Sequence, residues 1–152
     1  MSYMNNRPGK IRFTPTNKEK YKGDIEKIQI RSKWEEQFCR WLDTHQSVIE
    51  WNSENIVVPY FDPVKNKERR YFPDFFAKMK TKQGKIVIYL IEIKPYKETV
   101  EPIRTKRKTK RTLLKEMATW ETNKAKFRAA NMFCMSKNWI FKIMTEKELF
   151  GK

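Results

Sequence analysis

The sequence predicts an α/β domain: a mixed central sheet flanked by helices. Three observations carry that expectation. A continuous apolar run, Ile86 to Ile91, reads as a strand buried on both faces at the sheet centre. Segments with helical apolar spacing stand on either side of it, over 32–44 and 112–132. Shorter strand-like stretches fill the remainder, giving the order helix, three strands, helix, strand, helix.

Taken in order, residues 1–30 are polar and basic, broken by Pro8, Gly9, Pro15 and Gly23. They read as an extended basic arm, which leaves 31–152 as the folded domain. In 32–44, Trp34, Phe38, Trp41 and Leu42 recur at helical spacing behind Ser32, a residue suited to cap the helix. Residues 54–60 read as a strand ending near Pro59. A charged loop follows over 61–69, then a second strand over 70–78. A polar turn at Gly84 leads into Lys85 to Lys94, the strongest strand of the chain. Residues 95–111 form a connection rich in Lys and Arg. The helix over 112–132 carries Leu113, Leu114, Met117, Trp120, Lys124 and Phe127 roughly along one side. Asn138 to Met144 reads as the last strand, and Thr145 with Glu148 forms a capping box for a short final helix.

Composition narrows the function. The 152 residues include 34 Lys plus Arg against 18 Asp plus Glu, a formal charge of +16. Such a surface favours a polyanion, because neutralising phosphates releases counterions. Cys39, Cys134 and His45 are the only residues of their kinds, which excludes a Cys/His zinc site built from this chain alone. Both cysteines sit among apolar neighbours and read as buried free thiols. Neither a signal peptide nor a membrane-length apolar run is present, so no membrane partner is expected.

One constellation carries chemistry. Pro73-Asp74 precedes Glu92-Ile93-Lys94 by seventeen intervening residues, on neighbouring strands of an expected hairpin. Strand alternation puts Glu92 and Lys94 on one face, with Ile91 and Ile93 on the other. A charged pair ending a buried strand is costly unless partnered. Asp74 and a divalent cation would supply the partners. Asp74, Glu92 and the backbone carbonyl of Ile93 offer hard oxygen ligands for Mg²⁺, with Mn²⁺ as a substitute. Lys94 can orient or deprotonate an attacking water, or offset charge developing on a phosphate. Glu35 borders the apolar face of the first helix and can add a third acid. Ser32-x-x-Glu35 is equally a capping box, and both roles stay open.

These residues resemble the PD-(D/E)XK nuclease superfamily, whose signature they match with Pro73-Asp74 and Glu92-Ile93-Lys94. Glu35 in an Arg-Ser-x-x-Glu setting resembles the transposon-end endonucleases. RSKWEEQF (31–38), VIEWNSENIVVPY (48–60), RRYFPDF (69–75), LIEIKP (90–95) and TWETNKAKFRAA (119–130), together with PTNKEKYKGD (15–24), are similar to the head completion nucleases of T4-like bacteriophages. The resemblance covers nearly the whole chain. It implies a restriction-endonuclease-like core and a magnesium-dependent endonuclease acting late in head assembly. DNA packaging would precede it and tail attachment would follow. It also implies contact with head, portal or neck proteins, and a place in the host cytoplasm during assembly or in the virion head.

Residues 104–111, RTKRKTKR, hold six Lys or Arg in eight. Arg104, Lys106, Arg107, Lys108, Lys110 and Arg111 read as a grip on DNA backbone phosphates, or else as a solvated charged loop. Arg31 is a further candidate. The resemblance adds Lys124, where superfamily members often touch the scissile phosphate; Asn123 stands beside it. Arg7, Lys10, Arg12, Lys18, Lys20 and Lys22 would extend the path across DNA or dock on another virion protein. The five Trp read as core. Two other functions fit the same residues. One is a DNA-binding plug or connector without catalysis, although Asp74 and Glu92 would then repel phosphate. The other is a resolvase-like cutter of branched DNA, which would need a dimer.

Overall fold

In the computed structural model, residues 11–149 are described. The basic positions Arg7 and Lys10 lie outside them. The central sheet has four strands: β3 (Val48–Ser53), β6 (Phe75–Lys80), β7 (Ile86–Ile93) and β8 (Ile140–Met144). They stand in the order β3-β6-β7-β8, with β1 (Ile11–Arg12) paired to β2 (Gln29–Ile30) and β4 (Val58–Asp62) paired to β5 (Lys67–Tyr71) in two small sheets. β3, β6 and β7 run antiparallel, whereas β7 and β8 are parallel, so the sheet is mixed as expected. Parallel pairing requires a crossover, and α2 (Lys110–Ser136) provides it.

The apolar residues divide between the two faces. On one side α1 (Lys33–Thr44) sets Phe38, Cys39 and Leu42 against Val48, Trp51, Phe75, Ala77, Ile91 and Ile93. On the other, Ala130 and Cys134 of α2 meet Leu90 of β7 and Val58, Tyr60 and Tyr71 of the β4–β5 hairpin. The alternation of Leu90, Ile91 and Ile93 fixes the register of β7, and it points Glu92 to the α2 side. Full burial on β7 is confined to Leu90–Ile93, where both layers cover it; nearer the β6–β7 turn Val87–Tyr89 are half-buried and Ile86 is exposed.

Several expectations change. Residues 11–30 are not an extended arm. Phe13, Tyr21, Ile28 and Ile30 are buried in the α1-side core. Asp43 accepts hydrogen bonds from the backbone of Thr16 and Asn17, at 2.8 and 3.0 Å, and fastens the segment to the end of α1. The polar sequence between those four apolar residues hides them, because their spacing follows neither helix nor strand. The first strand of the sheet is Val48–Ser53, ahead of the expected 54–60. Residues 58–71 instead leave the sheet as the β4–β5 hairpin, which turns at Asn66 with φ of 54°. The expected strand over 70–78 is two strands, broken at Phe72–Asp74, where Pro73 has no N–H to continue a ladder. α2 begins within the basic tract and ends at Ser136, followed after the cap Lys137 by Asn138, whose φ of 59° is the left-handed stop usual past a helix C-terminus. Of the tryptophans, Trp51 is wholly buried, whereas Trp41 is 39% exposed.

Candidate active site

The break between β5 and β6 creates the site. Freed from the ladder, Asp74 turns across to β7, and its Oδ2 accepts the Ile93 backbone N–H at 2.8 Å. Glu92 is 7% exposed, on the α2 side of the same strand end. The Tyr71 hydroxyl donates to its Oε1 at 2.7 Å, and Lys94 Nζ stands 3.7 Å from its Oε2. Lys94 thus shares the face of Glu92, as strand alternation requires.

Glu35 arrives from the first turn of α1. The capping role is realised: Ser32 Oγ accepts the Glu35 backbone N–H at 3.1 Å. The returning bond goes one residue further out than in the usual box, from the Arg31 N–H to Glu35 Oε1 at 3.2 Å. Glu35 also faces the other acids. Burial raises its pKa, and Glu54 and Glu92 add to the rise, against the Arg31 N–H and the Arg31 charge. Burial drives the Asp74 carboxyl well above the usual carboxylate range, and the charges of Glu92 and Glu35 push it further. Burial raises Glu92 too, opposed by Lys94, by the Tyr71 hydroxyl and by Lys126. Capping and site membership are therefore compatible for Glu35. Three acids under mutual electrostatic pressure are costly to fold unless something positive offsets them.

Three residues of this neighbourhood escaped the sequence reading. Tyr71, hidden in RRYF, fixes the Glu92 carboxylate. Lys126 lies 5.5 Å from the Tyr71 ring centroid, and its pKa is lowered by burial and by the charge of Lys94. The helical spacing of the buried residues Asn123, Ala130 and Cys134 points to Lys126 on the inward side of α2. Lys124 falls outside that stripe; it pairs with Glu121 at 3.2 Å and stands 5.3 Å from the Trp120 ring centroid. Glu54 is the third. With φ of 51° it occupies a conformation that costs a non-glycine residue energy, and its N–H donates to the Asp74 carbonyl at 3.0 Å. Its carboxylate takes both guanidinium nitrogens of Arg31, one at 3.1 Å. Glu54 therefore ties the Asp74 loop to the start of α1, and Arg31 is engaged in that tie.

The basic tract divides. Arg104, Lys106 and Arg107 are exposed in the connection, and Lys110 and Arg111 are exposed on the first turn of α2. Lys108 is pinned, with Nζ 2.6 Å from the Ile103 carbonyl and 2.7 Å from Glu116 Oε1. The β4–β5 hairpin adds exposed Lys65, Lys67, Arg69 and Arg70, so the stretch read as a charged loop is an ordered basic ribbon leading to Tyr71. Among the described residues, no three Asp, Glu, His or Cys side chains converge tightly enough to encircle an ion as they stand. Nor is any described helix long and apolar enough to cross a membrane. Both cysteines are buried free thiols.

The chain was compared with known proteins. The Head completion nuclease of Enterobacteria phage T4 is 39% identical over 141 residues, which span 91% of each chain. No solved structure gives a match. A family model described as TnsA-like endonuclease N terminal matches residues 45–146. That span holds Asp74, Glu92, Lys94, Tyr71 and Lys126, whereas Glu35 precedes it. With more than half of its length inside that match, this chain belongs to the TnsA-like endonuclease family.

Proposed function

We propose that the chain is a metal-dependent DNA endonuclease acting in phage head completion, with Asp74, Glu92, Lys94 and Glu35 at its centre. The observation that carries this reading is the position of Asp74 and Glu92 at one end of the sheet, the first on the Ile93 N–H and the second 3.7 Å from Lys94, with Glu35 and Lys126 near enough to act on their charges. The family and the name of the phage T4 relative support the nuclease and the assembly step respectively.

The donor set fits a small hard cation. Glu35, Asp74 and Glu92 offer carboxylate oxygens and Ile93 its carbonyl, which suits Mg²⁺ or Mn²⁺. No thiolate or imidazole stands among these ligands to favour a softer ion. The cation, when bound, would supply Lewis-acid polarisation of the scissile phosphate and acidify a water molecule. The protein's own groups do the rest. The Ile93 N–H and the Tyr71 hydroxyl each hold one carboxylate oxygen in place, so the acids face the site with restricted rotamers. Lys94 offsets the charge that gathers on the phosphate oxygens as water adds and one P–O bond breaks. Lys126 reinforces that positive field from α2. The exposed cations of 104–111 and of the β4–β5 hairpin hold the DNA backbone, which positions the strand without reading its sequence.

The test is cleavage of linear, circular and branched DNA in Mg²⁺ by the wild type beside Asp74→Ala and Lys94→Ala. The wild type cuts and both variants lose at least a hundredfold in rate, the scale of losing one transition-state contact. Equal activity in all three sinks the site assignment. Cleavage of none of the substrates favours a DNA-binding plug.

A further inference from the structure

A cavity of about 650 Å³ is walled by the connection after Lys94 and by the first half of α2. Val100, Pro102 and Ile103 form one wall, and Thr119, Trp120 and Asn123 of α2 the other. Lys108 spans the two, its ammonium held between the Ile103 carbonyl and Glu116, so the cavity is a built feature of the connection. Asn123 lines it while only 4% exposed, and its side-chain amide makes no hydrogen bond within the described residues. The amide atoms are not sealed in the core, so they open onto the cavity, where a ligand edge can pair with them. Asn123 also sits one helical turn before Lys126, whose charge acts on Glu92, so the cavity and the candidate site share α2.

We propose that this cavity receives one unpaired nucleobase of the DNA strand being processed. Its volume is that of a small-molecule site and cannot admit duplex. Trp120 supplies an indole on which a base can stack, and stacking of this kind is indifferent to sequence. The Asn123 amide presents a donor and an acceptor together, the pattern that pairs with the polar edge of adenine. Glu116 Oε1, buried and tethered to Lys108, adds an acceptor for an exocyclic amine. Lys115 lines the cavity as well, where a cation suits a flanking phosphate, and Glu98 and Glu101 share the lining. The site is thus built for DNA with an extrahelical or single-stranded base next to the scissile bond. The inference rests on the endonuclease reading only for the identity of the ligand as DNA.

Binding in EDTA separates it from catalysis. Full-length protein is titrated with a short duplex and with the same duplex carrying one extrahelical 2-aminopurine. The wild type binds the bulged DNA about tenfold more tightly, the contribution of roughly one stacked base, and quenches the 2-aminopurine fluorescence. Trp120→Leu and Asn123→Leu, checked for folding by thermal melts, each abolish the preference and the quenching while duplex affinity stays within about twofold. Free dAMP at millimolar concentration competes weakly. Equal wild-type affinity for the two DNAs overturns the proposal. So does a preference that survives in both variants, or quenching by free nucleotide without any preference for the bulge. Cleavage of duplex without a bulge preference would remove this assignment and leave the endonuclease reading intact. A preference without cleavage of any DNA would do the reverse.

Discussion

Asp74→Asn should stabilise the metal-free protein while abolishing its activity. The geometry sets the size. Asparagine can keep its carbonyl oxygen on the Ile93 N–H, now 2.8 Å from Asp74 Oδ2, and gives up only the charge-assisted part of that bond, about 1 kcal/mol. In return it removes like-charge contacts with Glu35 and Glu92. Such contacts cost on the order of 1 to 4 kcal/mol each between bulk-water and protein-surface dielectrics. Two at the low end, less the weakened bond, leave a net gain of about 1 kcal/mol. For a chain of this length that raises the melting temperature by about 2–4 °C.

The sign has a pH signature. The folded-state pKa of Asp74 lies above its unfolded value. Its contribution is therefore most favourable below the ordinary carboxylate range and is lost as pH rises through the folded pKa. The advantage of Asp74→Asn should be absent in acid and grow as pH rises through the folded pKa. Paired melts in EDTA from pH 4 to pH 8 measure it. Saturating Mg²⁺ should reverse the ranking, because only the wild type gains binding energy. A variant less stable than wild type at neutral pH without metal, or an advantage independent of pH, would refute the electrostatic reasoning.

Further outcomes follow from other contacts. Tyr71→Phe removes a hydrogen bond that lowers the Glu92 pKa, so the acid limb of the pH–cleavage profile should move to higher pH; an unmoved limb would detach Tyr71 from Glu92. Ser32→Ala removes the α1 cap and should cost about 1 kcal/mol in urea melts, whereas Glu35→Gln should hit cleavage harder than stability. Ile28→Ala should destabilise by about 2–5 kcal/mol, because Ile28 is fully buried. A loss near zero would return residues 11–30 to the status of a loose arm.

How much of this was legible in sequence depends on periodicity. α1 is legible because apolar spacing and burial agree there, and β7 and β8 because β-branched and aromatic residues predominate in them. The strand at 48–53 did not: its six residues VIEWNS include Glu50 and Asn52, which mask the alternation of a strand at the sheet edge. Ile28 and Ile30 were hidden for a related reason. Their burial comes from packing against α1 and β3, and no local pattern encodes a contact between distant segments. In the site, Asp74, Glu92 and Lys94 were visible because β7 fixes the spacing of the last two and Pro73 marks the first. Tyr71, Glu54 and Lys126 were not, since each acts through a neighbour brought close by the fold. Lys124 and Lys126 differ by two positions on α2, and only the buried stripe through Asn123 and Ala130 separates them.

The most direct measurement is a crystal of the protein soaked in Mn²⁺ and recorded at the manganese absorption edge. One anomalous peak should lie within about 2.2 Å of oxygens from both Asp74 and Glu92, a coordination distance for a small hard cation. A peak elsewhere, or these carboxylates turned apart with no ion between them, would contradict the account.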